Sequence, residues 1–185
     1  MKPKRLREFG DAVETRVTTE LREVVMTGAL DRSQYHGLAM RLTYLASVSK
    51  KPVTITMNSH GGYVTDGLAM YDLIMKTRRQ CRVNIVATGV CMSMAVVLMQ
   101  AATHRYATPN TRFMIHELSL GGEGRLSDLR EQQDEARKLQ QVLYGLMSKR
   151  TGLSVKELAK LCERRDYYLS ADEAHGYNLI DRIVA

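Results

Sequence analysis

The chain has 185 residues, enough for one domain with a hydrophobic core of its own, and its apolar fraction of 44% and charged fraction of 25% exclude wholesale disorder. The longest apolar run, residues 92–99, is interrupted by Ser93 and falls far short of the roughly 18–20 residues of a membrane helix. The charged opening MKPKRLREFGDAVET has no apolar stretch behind it, so neither a membrane partner nor a secretory signal is expected, and a cytoplasmic location is. The net charge of +7 is concentrated at residues 2–7 and 76–82, without the interleaved aromatic residues that stack on bases, so both clusters read as solvated faces and no nucleic-acid partner is expected.

In chain order, strands alternate with helices, the pattern of an α/β fold. Residues 23–27 read as a strand ending at Gly28. Asp31 or Ser33 then caps a helix carrying Leu38, Leu42 and Leu45 on one face, to about Ser47. Pro52 opens the alternating strand VTITMN at 53–58, which Gly61 and Gly62 break. Residues 66–76 read as helix, 82–88 as a strand closed by Gly89, and 92–102, apolar nearly all round, as a helix buried in the domain. Short strands are expected at 105–107 and 112–115 around a TPN turn. LGGEG at 120–124 follows as a flexible stretch, and then a long charged helix over 127–149 with Leu129, Ala136, Leu139, Leu143 and Leu146 on its apolar face. Ser154 with Glu157, and Ser170 with Glu173, have the spacing of capping boxes, and 180–184 closes the chain as a strand.

Two strand-to-helix junctions carry chemical potential: residues 58–62 (NSHGG) and 89–94 (GVCMSM). A helix starting after a strand leaves backbone N–H groups free to hold a developing anion, and glycines let a backbone approach closely. Ser93 heads the apolar helix. His116 ends a strand-like run, but His36, His60, His104 and His175 compete with it, and spacing does not choose among the five. Three widely separated cysteines, Cys81, Cys91 and Cys162, suggest neither a disulfide framework nor a zinc site and read as packed thiols; no metal is expected.

Taken together, the blocks have a family likeness. Residues 57–74 (MNSHGGYVTDGLAMYDLI) are similar to INSPGGxVxAGxAIYD; 89–94 to the GQAASMGA nucleophile turn; 109–116 (PNTRFMIH) to PNxRxMIH, with LGG at 120–122 following; and 152–184 to GxxxExIxxDxERDxxxSAxEAxEYGLIDxV. The chain thereby resembles the proteolytic subunit of Clp protease, from about Glu23 to Val184. The resemblance implies an α/β spiral of βαβ units, of the Clp-protease and crotonase kind, with a protruding handle helix. It divides a single domain of 1–185 into an N-terminal axial segment (1–20), a head (21–118 and 151–185) and a handle (119–150). It implies a serine endopeptidase with Ser93 as nucleophile, His116 as general base and Asp166 as orienting acid. Asp166 precedes the apolar Tyr167, Tyr168 and Leu169, expected to exclude water from that pairing. The backbone N–H groups of Gly62 and Met94 would form the oxyanion hole, and Gly62, Tyr63, Val64 and Leu120, Gly121, Gly122 would grip an extended peptide. Implied too are two stacked seven-membered rings, unfolded polypeptide substrates, an AAA+ unfoldase that alone uses ATP, and no cofactor in this chain.

The departures are specific. The opening residues lack the family's RGERxxDIYSRLL segment, His60 stands where the family has proline, and Val90-Cys91-Met92 replaces Gln-Ala-Ala before the nucleophile. Cys91 comes under suspicion as a nucleophile but reads better as packed. Two other functions fit the scaffold: an acyl-CoA hydratase or isomerase, which the Ser, His and Asp set argues against, and a catalytically silent ring subunit.

Overall fold

The computed structural model describes residues 3–185, with side chains from Gly10 onward, so the basic cluster at 2–7 lies outside the described side chains. Helix α1 (Pro3–Thr19) occupies the charged opening, for which the sequence suggests no element. Local pairs support its described part: Arg16 holds Glu20 one turn on at 3.1 Å, and Glu14 pairs with Arg41 of the next helix.

A mixed sheet follows. Its parallel strands β1 (Glu23–Leu30), β2 (Val53–Gly62), β3 (Val83–Met92), β4 (His104–Ala107) and β7 (Arg182–Ile183) lie in that order. β5 (Arg112–Ile115) runs parallel to β3, and β6 (Tyr167–Leu169) pairs antiparallel with β5. Helices α2 (Arg32–Val48), α3 (Val64–Thr77) and α4 (Met94–Met99) connect the first strands; α5 (Leu126–Ser148), α6 (Val155–Cys162) and α7 (Ala171–Gly176) complete the chain. Asp31, rather than Ser33, caps α2, accepting from the Gln34 amide at 2.9 Å, and both expected capping boxes form. The apolar set of each strand falls on one face: Val53, Ile55 and Met57 of β2 and Val83, Ile85 and Ala87 of β3 are buried with Leu38, Leu42 and Leu45 of α2 and Met70 and Ile74 of α3. The opposite residues, Thr54, Thr56, Asn84 and Val86, are half-buried.

The glycines do not end β2 and β3, as the sequence reading had it; the strands continue through them to Gly62 and Met92. They do so by breaking register. Met57 lies opposite Ala87, yet Ser59 lies opposite Cys91, so β3 takes up two extra residues around Gly89. Gly89 has φ +61, and the Asn58 side chain fills the bulge, its Oδ1 accepting from the Val90 N–H at 3.2 Å. At the same point β3 changes partner. Residues 84–87 pair with β4, and residues 90–92 pair with β5. The extension also shortens the next helix: α4 begins at Met94, not Met92, which leaves Ser93 outside it at the strand end.

Gly61 (φ +97) lies against this turn. A Cβ there would come within 2.7 Å of the Ser93 Cβ, 2.8 Å of the Met92 carbonyl oxygen and 3.0 Å of the Met94 nitrogen. The ends of β2 and β3 therefore touch backbone to backbone. Substituting Gly61→Ala adds both a clash and a disfavoured φ, and it should destabilise the protein by at least ~2 kcal/mol in chemical denaturation.

The C-terminal strand is fixed by one buried arginine. Arg105 pairs with the Asp181 carboxylate and also donates to the Gln100 side chain at 2.6 Å and to the Asn178 and Arg150 carbonyls at 2.8 and 3.1 Å. Burial opposes ionisation of Asp181, but hydrogen bonds from the Arg105 side chain and backbone, with the charges of Arg105 and Arg150, hold its carboxyl below the ordinary value. Asp181→Ala leaves Arg105 buried without its counter-ion and should cost about 3 kcal/mol. Because the folded pKa is depressed, the native protein's share of this stability is complete above the unfolded value of about 3.9 and fades as pH falls below it, measurable as a pH-dependent Tm difference that narrows in acid.

Candidate active site

Ser93 connects β3 to α4 with φ 53 and ψ −126, a backbone conformation uncommon for a residue with a Cβ. Its N–H donates to the Met114 carbonyl at 2.8 Å and its carbonyl accepts from Val96 at 3.0 Å. The hydroxyl is thereby turned away from the core and toward β5. There the His116 Nε2 lies 2.7 Å from the Ser93 Oγ. With that nitrogen unprotonated, the hydroxyl donates to it and Nδ1 carries the proton.

His116 and Asp166 meet because of strand register. β5 and β6 pair Phe113 with Leu169, Met114 with Tyr168 and Ile115 with Tyr167, so one further step sets His116 opposite Asp166. The His116 Nδ1 to Asp166 Oδ1 separation is 3.7 Å, an ion-pair distance longer than a hydrogen bond. The Asp166 side chain is 51% exposed and Tyr168 is 53% exposed. The expectation that the Tyr167–Tyr168–Leu169 patch shields this pairing from water is therefore corrected: alternation along β6 sends Leu169 into the core but turns Tyr168, and with it Asp166, outward. Tyr167 anchors the strand from the other side, through its hydroxyl 3.2 Å from that of Tyr177 and through Arg165 over its ring at 5.2 Å.

The two amides expected to hold an oxyanion flank Ser93. Met94 is the first residue of α4, so its N–H has no acceptor within the helix. The Tyr63 N–H donates to the Leu30 carbonyl at 2.9 Å, so along the extended chain the Gly62 N–H turns to the other edge of β2, where Ser93 lies. A cleft of ≈ 200 Å³ opens beside these groups. Its apolar wall is Val97, Ile115, Leu143, Tyr144 and Met147, with Gln140 and the segment Leu118–Ser119 at its side. Val64 and Gly62 reach it too, whereas Tyr63 is exposed and Leu120, Gly121 and Gly122 lie beyond its lining.

Sequence reasoning missed the cleft wall. Leu143 was read as an apolar helix position, but Tyr144 and Met147, not Leu139 and Leu146, complete the buried face of α5. The spacing i, i+1, i+4 could have flagged that face, but nothing in it points to Ser93. The other histidines separate cleanly: His36, His60, His104 and His175 are exposed and distributed over α2, β2, β4 and α7. Cys91 is fully buried on the core side of β3, and burial pushes its thiol up, so it stays protonated and packed.

The family model for Clp protease matches residues 10–185. The ATP-dependent Clp protease proteolytic subunit 2 of Chlamydia abortus is 37% identical over 150 residues, spanning 80% of this chain and 72% of the relative. Among solved structures, a mutant ClpP1 from Listeria monocytogenes superposes with a TM-score of 0.84 at 28% identity, covering 92% of this chain and 95% of that one. Fold and sequence thus lead to one statement: the chain belongs to the Clp protease family, as a proteolytic subunit with that family's mixed α/β architecture.

Proposed function

We propose that the chain is a serine-type endopeptidase subunit in which Ser93 is the nucleophile, His116 the general base and Asp166 the residue that orients it. The observation that carries this reading is the 2.7 Å approach of the Ser93 hydroxyl to the His116 Nε2 at the mouth of an apolar cleft. A serine hydroxyl attacks a peptide carbonyl only as its proton leaves, and His116 stands where it takes that proton. The oxygen of the tetrahedral intermediate would rest on the Gly62 and Met94 N–H groups. His116 then returns the proton to the leaving amine, and water releases the acyl group by the same route in reverse. Asp166 needs to move less than about 1 Å to bond the imidazole, and tightening of this kind on substrate binding is common for catalytic hydrogen bonds.

The substrate would lie extended between Gly62–Tyr63–Val64 and the segment running from Leu118 through Leu120, Gly121 and Gly122, held by main-chain bonds indifferent to sequence, with one apolar side chain in the cleft. Exposed Leu126 and Val142, with Leu120 beside them, leave apolar surface along α5 that suits contact with another subunit. On the ground of family membership, with which this surface is consistent, we assign the chain to a homo-oligomer of two stacked seven-membered rings in the cytoplasm, fed unfolded polypeptide by an AAA+ unfoldase. ATP would serve that partner, and the hydrolytic chemistry needs no cofactor.

A fluorophosphonate probe should label Ser93 alone, as located by peptide mass spectrometry, and Ser93→Ala should lose peptide hydrolysis by at least ~10⁴-fold without losing the fold. Hydrolysis persisting in Ser93→Ala would refute the assignment. The cleft wall sets a second expectation. Met147→Ala enlarges it and should shift the preference at the cleaved bond from leucine-sized toward aromatic side chains, by roughly tenfold in the ratio of kcat/KM values.

A further inference from the structure

Residues 117–124 form neither helix nor strand, and residues 120–124 are exposed throughout. Among the described residues a single hydrogen bond ties this segment to another element: the Leu118 N–H donates to the Gln140 Oε1, on α5, across 22 residues of sequence. Further along, the segment touches α5 a second time. A Cβ on Gly122 would come within 2.6 Å of the Gln132 Oε1 and 3.2 Å of the Leu129 Cδ2.

The two contacts fit one geometry. From Gln132 to Gln140 the helix rises about 12 Å, and the four residues from Leu118 to Gly122 span about 13 Å when extended. The segment is thus a strap drawn along α5 in the opposite direction, with its Leu118 end fixed by the glutamine carboxamide and its Gly122 end by close packing. Gln140 sits one turn from Leu143 and Tyr144 and two from Met147, the residues that bury the C-terminal part of α5, so the acceptor is on a rigid support. Both Leu118 and Gln140 line the cleft at Ser93. In an extended chain successive N–H groups point to opposite sides, so holding the Leu118 N–H against α5 turns the Ser119 N–H toward the cleft, where a substrate backbone would lie.

We propose that Gln140 is a positioning residue for substrate binding: its carboxamide oxygen fixes the Leu118 amide and so sets the register of the strap against which the peptide pairs. This rests on the peptidase reading above. Gln140 touches no reacting atom in the scheme; it acts through Leu118. Its loss should therefore weaken binding of an extended peptide while sparing the chemistry at Ser93.

The test compares the full chain with Gln140→Leu, Gln140→Ala and Gln140→Glu, using a fluorogenic tetrapeptide with leucine at the cleaved bond and a small fluorophosphonate that has no peptide backbone. Losing one hydrogen bond of this kind should raise KM roughly three- to tenfold in the Leu and Ala variants, with kcat and the Ser93 labelling rate within about twofold of the parent. At neutral pH the Glu carboxylate still accepts from the Leu118 N–H, so Gln140→Glu should bring KM back to within about twofold of the parent. An unchanged KM in Gln140→Leu, a fall in labelling that matches the fall in hydrolysis, or failure of Gln140→Glu to restore KM would each overturn the proposal. A parent protein whose Ser93 does not label at all would instead remove the peptidase reading, which keeps the two failures apart.

Discussion

The backbone of Ser93 is the constraint from which the rest of the site follows. A φ of 53 with ψ −126 is disfavoured for any residue with a Cβ, and such a conformation typically costs about 1–3 kcal/mol. It persists because its surroundings leave no alternative. The Met114 carbonyl takes the Ser93 N–H, the first turn of α4 takes its carbonyl, and Gly61, which has no side chain to push it away, presses on its Cβ. In return, the turn delivers three things at once: a hydroxyl projecting from the sheet, a free amide on the next residue, and an apolar helix whose Val97 lines the neighbouring cleft. A relaxed strand end would supply the hydroxyl and lose the amide.

The same turn depends on β3 changing neighbours. While it pairs with β4 it belongs to an ordinary parallel sheet; beyond Gly89 it pairs with β5, and β5 pairs with β6. Three distant stretches of chain, ending at Met92 and Ile115 and beginning at Tyr167, are thus placed side by side, with Ser93, His116 and Asp166 at their ends. Ser93 is still tied to β5 through its N–H on the Met114 carbonyl, whereas His116 and Asp166 lie one step beyond the last pair of β5 and β6. The core beneath is indifferent to the chemistry. Buried Arg105, through the half-buried Asp181, ties β4 to the C-terminal segment that supplies β7.

Much of this was legible in the residues. Apolar alternation located β2 and β3, and the Ser154 and Ser170 boxes located α6 and α7, because these signals are local: a side chain's neighbours on its own element decide it. The family blocks named Ser93, His116 and Asp166 as a set, and the chain brings them together. What stayed hidden is non-local. Gly61 and Gly89 looked like strand breakers because glycine usually punctuates, and only the pairing partner shows that each accommodates a bulge inside a continuing strand. Asp166 looked shielded because three apolar residues follow it, but strand alternation exposes Tyr168. The cleft wall was invisible for the same reason: Tyr144 and Met147 are 51 and 54 residues from Ser93 along the chain, and no spacing rule links a helix face to a turn that far away.

Helix α5 is where these threads meet, and its burial is uneven. Only its C-terminal part has buried residues, Leu143, Tyr144 and Met147; from Leu126 to Lys138 its surface is mostly exposed, with Leu126 at 65%. A helix in water draws most of its stability from packing one face, so an unpacked half of this length is poorly supported by its own protomer and gains most from a neighbour. The supported half, meanwhile, forms the cleft wall and carries Gln140. One element therefore has an exposed half at one end and a cleft-lining half at the other. A contact that tilted its exposed half as a straight rod would also displace Met147 and Gln140 relative to Ser93, since all three belong to the lining of one cleft.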